Sequence, residues 1–247
     1  MSDWKFELLL GEGTYGVVHR MSNATERRRV ARKYFFNEKM FAEELKAAEL
    51  VKSDHCMQVV GRGREIAQRR IMLHFEELKI PLFYFDMPVM SCGSLAEAIH
   101  HKQQQVQRDL PYVYSTESAF NWAVATLHAL FYLHEKLHLA HCDLKPENIL
   151  LARDGSSKLA DFSLARDLDI PDRLDYNREK FVGTYKYHAP EIFNNGLITN
   201  KIDIFALGVT MFELAEGVCP IDVLQPGAEE KVAVPFLRNG DIPNMTN

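Results

Sequence analysis

The chain has 247 residues, of which 47% are hydrophobic and 26% are charged, and this composition excludes an intrinsically disordered protein. Its length fits one large domain or two smaller ones. Lysine and arginine number 29 against 34 acidic residues, and the resulting net charge of −5 argues against nucleic acid as the main partner.

The N-terminal third shows the pattern of a small antiparallel sheet followed by a helix. Apolar side chains alternate over residues 4–10, which predicts a strand, and further strands are predicted through 17–18 and over 30–36. Over residues 38–52 the apolar positions recur every three or four residues without Gly or Pro, which predicts a helix. Asn37 is expected to cap its first turn.

The rest of the chain is predicted to be mainly helical. An apolar, aromatic-rich run over 82–90 predicts a buried strand that leads into a linker. Apolar spacing predicts a helix over 116–135, and a long apolar stretch predicts another over 203–216. Because a small sheet comes first and helices come later, the pattern favours an α+β fold in two lobes.

Cysteines and apolar stretches bear on the cellular location. The four cysteines are too far apart for metal-ligand spacing, which favours a reducing compartment. The most apolar late stretch, 202–215, contains acidic residues and is shorter than the ~20 residues that a membrane helix needs. No basic-then-apolar leader is present. We therefore expect a cytoplasmic location, with the nucleus as the alternative, and no membrane partner.

A glycine-rich segment follows the first predicted strand. Residues 11–18 read Gly-Glu-Gly-Thr-Tyr-Gly-Val-Val, and glycines without Cβ atoms let backbone N–H groups lie against phosphates. Such a segment at the start of a helix would indicate a dinucleotide-binding fold, but here a second strand follows. A nucleotide-binding hairpin is therefore favoured, and a plain glycine-rich hairpin is the alternative.

Further motifs follow in order along the chain. Lys33 ends Val-Ala-Arg-Lys, residues 141–148 read His-Cys-Asp-Leu-Lys-Pro-Glu-Asn, and Asp161 begins Asp-Phe-Ser. Residues 183–191 read Gly-Thr-Tyr-Lys-Tyr-His-Ala-Pro-Glu. From about residue 9 to residue 203, the joint order and spacing of these motifs resemble those of eukaryotic-type protein kinases.

This resemblance implies a two-lobed, protein-kinase-like α+β fold. The N-lobe, residues 1–90, would hold a small antiparallel sheet with the glycine-rich loop, the lysine strand and one helix. The C-lobe, residues 91–247, would be mainly helical and hold the catalytic loop and the activation segment. Family members continue with further helices, and because this chain stops at Asn247 we expect those C-terminal helices to be missing.

The resemblance also implies ATP and Mg²⁺ as cofactors and gives roles to single residues. Lys33 would contact the α- and β-phosphates and pair with a helix glutamate. Asp143 would accept the proton of the substrate hydroxyl, and Lys145 would neutralise the transferring phosphate. Asn148 and Asp161 would hold the Mg²⁺ ions. The expected catalytic residues are therefore Lys33, Asp143, Lys145 and Asn148.

Nucleotide contacts are expected from the N-lobe and the linker. Among Glu43, Glu44 and Glu49 we choose Glu44 as the glutamate, and an exposed carboxylate is the alternative reading for all three. Met87 aligns with the gatekeeper, where core packing is the alternative reading, and Met90 aligns with the hinge residue. The full set of expected contacts is Gly11, Glu12, Gly13, Thr14, Tyr15, Gly16, Val18, Ala31, Lys33, Glu44, Met87 and Met90.

Lys145 and Thr184 resemble the serine/threonine group of the family, so the implied function is ATP-dependent phosphorylation of Ser/Thr hydroxyls on protein substrates. A regulatory protein partner is left open. The sequence departs from the family pattern at Cys142, in place of arginine, and at Ser163, in place of glycine. Ser163 and the short C-lobe favour the rival interpretation of a pseudokinase that binds nucleotide or partner proteins with little or no transfer. A small-molecule phosphotransferase is disfavoured because the segment 183–191 resembles one that docks a peptide.

Overall fold

A computed structural model of the chain describes residues 3–13, 16–70, 77–107, 114–170, 184–194 and 196–224. The chain divides into two compact units, Met1–Lys52 with Met57–Val89, and Ser53–Cys56 with Met90–Asn247. This division differs from the predicted boundary after residue 90 in two places: Met90 and one short segment, residues 53–56, fall in the second unit. Residues 53–56 belong to the second unit because the carbonyl oxygen of His55 accepts a hydrogen bond from the backbone N–H of Leu159 at 2.9 Å.

The first unit is an antiparallel five-stranded sheet with one helix. The elements of this unit are β1 Trp4–Gly13, β2 Gly16–Asn23, β3 Arg28–Phe35, α1 Glu38–Leu50, β4 Gly61–Arg70 and β5 Glu77–Met87. The strand order of the sheet is β1-β2-β3-β5-β4. The helix α1 begins where predicted, with the Asn37 side chain accepting hydrogen bonds from two backbone N–H groups of its first turn.

Alternate residues of β3 point to opposite faces of this sheet. Phe35 is fully buried and packs on one face with Phe85 and with Phe41 of α1. On the other face, Arg32 forms two hydrogen bonds with Asp86 of β5, at 2.7 and 3.0 Å. Arg32 lies directly opposite Asp86 in the β3–β5 ladder, and Phe35 and Phe85 are diagonal neighbours, so side chains on both faces fix its register.

The second unit is mainly helical, with two pairs of short strands. The elements of this unit are α2 Leu95–Gln107, α3 Thr116–Lys136, β6 Leu139–Ala140, β7 Ile149–Leu151, β8 Ser157–Leu159, β9 Arg166–Asp167, α4 Pro190–Phe193, α5 Lys201–Glu216 and α6 Pro220–Leu224. β6 pairs with β9, and β7 pairs with β8, all antiparallel. Even the 21-residue α3 does not have the apolar length to cross a membrane, and no other described helix does.

Helix α5 is the apolar helix on which the second unit is organised. Its last carbonyl groups accept hydrogen bonds from distant side chains: Lys102 Nζ donates to Ala215 O at 2.7 Å and Tyr114 Oη donates to Leu214 O at 2.8 Å. Gly217 ends the helix with a left-handed φ of 80°, which glycine adopts without strain.

The elements of the two units, a small antiparallel sheet with one helix and a mainly helical second unit, confirm the α+β, two-lobed fold predicted from the sequence.

Candidate active site

The lysine strand and the helix of the first unit meet at a buried ion pair. Lys33 Nζ donates a hydrogen bond to Glu44 Oε1 at 2.7 Å, and the two side chains are 9% and 4% exposed. The other two candidate glutamates, Glu43 and Glu49, form ion pairs at the surface. Glu44 is therefore the helix carboxylate that orients the lysine, in the pairing that the sequence predicted.

The hairpin of β1 and β2 contains the glycine-rich segment. At Gly16 any Cβ atom would overlap the carbonyl oxygen of Tyr34 on β3, so only glycine fits there. Thr14 and Tyr15, two of the predicted nucleotide contacts, lie outside the described residues. The ladder places the other residues in the opposed pairs Gly11 and Val18, Glu12 and Val17, and Gly13 and Gly16.

Two more of the predicted nucleotide contacts are cross-strand partners. Ala31 on β3 lies opposite Met87, the last residue of β5. The half-buried Met87 also packs against the buried phenylalanines of the sheet, so the core-packing alternative describes its side chain as well. Strand β5 ends here instead of at residue 90 because Pro88 has no N–H group to donate. Met90 lies in the segment that follows, at the start of the second unit.

A buried carboxylate from α5 fixes the loop between β6 and β7. Asp203 is 1% exposed and accepts hydrogen bonds from the backbone N–H groups of His141 and Cys142, at 2.7 and 2.9 Å. The Nε2 atom of His134 on α3 lies 2.8 Å from the same carboxylate. Cys142 has a φ of 65°, a strained backbone conformation for a residue with a side chain. These charge-assisted hydrogen bonds offset that strain.

Three predicted catalytic residues touch one another on this loop. Lys145 Nζ lies 2.9 Å from Asp143 Oδ2 and 3.1 Å from Thr184 Oγ1. Asn148 Nδ2 donates to the backbone oxygen of Asp143 at 2.7 Å and to its Oδ2 at 3.1 Å. Asp143 itself is 8% exposed. A carboxylate, an ammonium group and an amide are therefore gathered around one point of the second unit.

Asn148 and Asp161 flank the β7–β8 hairpin at the same end. The backbone N–H of Ala160 donates to the backbone oxygen of Asn148 at 2.8 Å, so Asp161 follows directly after this contact. Because the amide nitrogen of Asn148 faces Asp143, its side-chain oxygen is left for a cation. Amide and carboxylate oxygens are hard ligands that suit Mg²⁺. These residues fit a Mg²⁺ site, although the described residues contain no cluster of three or more His, Cys, Asp or Glu side chains that could hold a metal.

Comparison with known proteins matches the chain to a family. The family model described as protein kinase domain matches residues 4–234. The chain belongs to the protein kinase domain family.

Relatives of this kinase domain include plant receptor-like kinases from Arabidopsis thaliana. It is 31% identical over 211 residues to LysM domain receptor-like kinase 3, covering 85% of this chain and 30% of that protein. It is 29% identical over 238 residues to proline-rich receptor-like protein kinase PERK15, covering 93% and 42%. It is 37% identical over 136 residues to receptor-like cytosolic serine/threonine-protein kinase RBK2, covering 54% and 28%. The chain thus spans less than half the length of these curated relatives.

Sequence reasoning missed two residues that position the loop between β6 and β7. The sequence marks Asp203 only as one of the acidic residues in the apolar stretch 202–215, and His134 only as a residue of the predicted helix over 116–135. The available signal was the acid itself: a carboxylate in the first turn of a mostly apolar helix is a candidate for burial, and a buried carboxylate needs hydrogen-bond donors. The loop N–H groups that supply them are not encoded by any side chain, so the pattern could not name them.

Proposed function

We propose that this kinase domain transfers the γ-phosphoryl group of ATP to serine or threonine hydroxyls of protein substrates. The observation that carries the proposal is the position of Lys145, which contacts both Asp143 and Thr184. This lysine connects the proposed base to the segment that resembles a peptide-docking site. The relative RBK2 is named a serine/threonine-protein kinase, which supports the same choice of acceptor.

The hydrogen bonds of Asp143 favour one of its oxygens as the base. Lys145 and Asn148 both contact Oδ2, so we assign Oδ1 to the proton of the substrate hydroxyl. In the transfer, the hydroxyl oxygen forms a bond to the γ-phosphorus, the bond to the ADP oxygen breaks, and the hydroxyl proton passes to Asp143. Lys145 balances negative charge on the phosphoryl oxygens during this step.

The remaining residues position the phosphates. When bound, Mg²⁺ neutralises charge on the phosphate oxygens. Asn148 and Asp161 would supply oxygen ligands to it in the second unit. In the first unit, Lys33 would bind the α- and β-phosphates, and its ion pair with Glu44 keeps the ammonium group in one orientation.

A transfer assay with γ-labelled ATP tests the proposal. The wild-type chain and Asp143→Asn are incubated with Mg²⁺ and a peptide library that carries Ser, Thr or Tyr acceptors, and labelled residues are identified. We expect label on Ser and Thr in the wild type and at least about a 100-fold loss in Asp143→Asn. Asp154→Asn, a change at an exposed turn, is the matched control. Label on Tyr alone, or an active Asp143→Asn, would contradict the proposal.

A second candidate function is a pseudokinase that binds nucleotide without transfer. The observation that favours it is Ser163, which replaces a glycine and whose backbone N–H lies 3.3 Å from Asp161 Oδ1, on one of the two oxygens that a cation would use. ATP binding detected by fluorescence, together with no label on any peptide, would establish this alternative in place of the first.

A further inference from the structure

Residues 184–188, which we call the docking segment, form a short 3₁₀ turn in the second unit. The turn is closed by backbone hydrogen bonds from Tyr187 N to Thr184 O at 3.0 Å and from His188 N to Tyr185 O at 3.1 Å. Such a turn has few internal hydrogen bonds, so its position depends on the side chains that attach it to its surroundings.

Side chains attach both ends of the docking segment. At its start, Thr184 Oγ1 lies 3.1 Å from Lys145 of the catalytic loop. Near its end, Tyr187 Oη donates to Glu213 Oε2 of α5 at 2.6 Å. Between these two contacts, Tyr185 packs against an apolar cluster that includes Cys219 at the start of the α6 segment.

Lys186 adds an attachment that neither the motifs nor the proposed chemistry accounts for. Its Nζ donates to both carboxylate oxygens of Asp222 on α6, at 2.6 and 2.8 Å. The two side chains are 30% and 35% exposed, so the pair is partly shielded from water. Burial alone would lower the pKa of Lys186, but the hydrogen bond and charge of Asp222 outweigh it and raise that pKa, so the ammonium group stays charged.

We propose that Lys186 and Asp222 are a positioning pair that holds the docking segment in place for the substrate peptide. The inference rests on the proposed function. Lys186 lies two residues after Thr184, and Thr184 contacts the lysine that contacts Asp143. A shift of the segment at Lys186 therefore changes where a peptide hydroxyl lies relative to the base. The pair is made by two unmodified side chains, so this attachment needs no phosphate.

Steady-state kinetics test the pair. Peptide KM, ATP KM and kcat are measured for Lys186→Met, Asp222→Asn and the exchanged pair Lys186→Asp/Asp222→Lys. We expect each single change to raise the peptide KM about fivefold while ATP KM is unchanged, and the exchanged pair to recover most of that loss. Lys39→Met, which removes an exposed 3.8 Å ion pair of the first unit, is the control and leaves all three constants unchanged. An unchanged peptide KM in the single variants, or an exchanged pair no better than they are, would overturn the inference.

Amide hydrogen exchange of the nucleotide-free chain separates this inference from the proposed function. Because exchange does not depend on transfer, it is informative even if the wild type labels no peptide and the proposed function fails. We expect faster exchange at Tyr187 and His188 in Lys186→Met and slower exchange again in the exchanged pair, with the helix α3 unaffected. Equal exchange rates in the wild type and Lys186→Met would show that the pair does not hold the segment.

Discussion

In the first unit, Lys33 and Met87 lie on neighbouring strands, whereas in the second unit Asp143 and Asn148 lie on a loop that contains a left-handed residue. The strand residues are positioned by a ladder of backbone hydrogen bonds and by side-chain pairs on both faces. The start of the loop, at His141 and Cys142, is fixed by the buried carboxylate of Asp203.

This difference predicts different responses to mutation. A sheet spreads the positioning of a side chain over many contacts, so the loss of one contact moves the side chain little. A loop that begins at two N–H groups bound to one buried acid has fewer contacts, and that acid accounts for a large part of its positioning. We therefore expect the second unit to be more sensitive to a single change, and the following variants test this expectation.

The largest effect is expected for Asp203→Ala. This change removes the acceptor of two buried N–H groups and the partner of His134, and it leaves the strain at Cys142 uncompensated. We expect the free energy of unfolding to fall by about 3–5 kcal/mol, measured by urea denaturation. Asp203→Asn, which keeps one acceptor oxygen, should lose less. A loss below about 1 kcal/mol for Asp203→Ala would contradict the central role of this carboxylate.

Lys33→Met tests the ion pair of the first unit. The change removes the ammonium group proposed to bind the phosphates, so we expect transfer to fall at least about 100-fold, and Asp161→Asn should lose as much. Both variants should remain folded by circular dichroism. Lys46→Met, on an exposed position of α1, serves as the control. Near wild-type turnover in Lys33→Met would refute the assignment.

Arg32→Met tests the opposite face of the same strand. It leaves the Asp86 carboxylate, 10% exposed, without its cation, and we expect a loss of about 2 kcal/mol in the free energy of unfolding. The double variant Arg32→Met/Asp86→Leu should recover most of this loss because a matched apolar pair carries no desolvation cost. A double variant that is less stable than Arg32→Met would show that the ion pair itself stabilises the sheet.

His188 makes the second unit sensitive to acid. Burial lowers the pKa of His188 to about 3, and the charge of Lys145 adds to this effect. The unfolded chain binds a proton below its ordinary value of 6.5 and the folded chain does not, so stability falls as pH falls from about 6.5 towards 3. We expect a slope of up to about 1.4 kcal/mol per pH unit, flattened in His188→Phe. Identical slopes for both proteins would contradict this.

The smallest effect is expected from removing phosphate. The sequence between Leu164 and Gly183 contains no Ser or Thr, and Tyr176 is its only side chain with a hydroxyl group. Cys142 cannot bind a phosphate as arginine would. The segment around Tyr176 lies outside the described residues. We expect unchanged turnover after phosphatase treatment and in Tyr176→Phe. If either abolishes transfer while nucleotide affinity persists, phosphorylation does control the kinase domain.

Periodicity predicted the helices over 38–50 and 116–136, because their faces differ in polarity. The helix over 201–216 was predicted from a long stretch of apolar residues. Strand β4 was not predicted because its sequence begins with glycines and charged residues. A Cβ atom at Gly63 would overlap the hydroxyl end of the Tyr84 ring on β5, so the ring would have to shift, and only the fold creates this contact.

The motifs located the candidate site, but the contacts that shape it come from distant parts of the chain. Lys33 on β3 and Glu44 on α1 are only eleven residues apart, so the sequence spacing of the two residues was enough to predict their pairing. Asp203 meets His141 across 62 residues, and Lys186 meets Asp222 across 36 residues. No local pattern encodes which donor meets which carboxylate over such distances.

The short segment 53–56 affects where the chain can be divided into two fragments. Its backbone partner, Leu159, emerges from the ribosome long after residues 57–89, so the first unit's own strands are synthesised before the segment's partner exists. A fragment that ends at residue 89 would carry the buried Cys56 without the strand that covers its backbone. A single cut after residue 89 therefore separates residues 53–56 from the unit to which they belong.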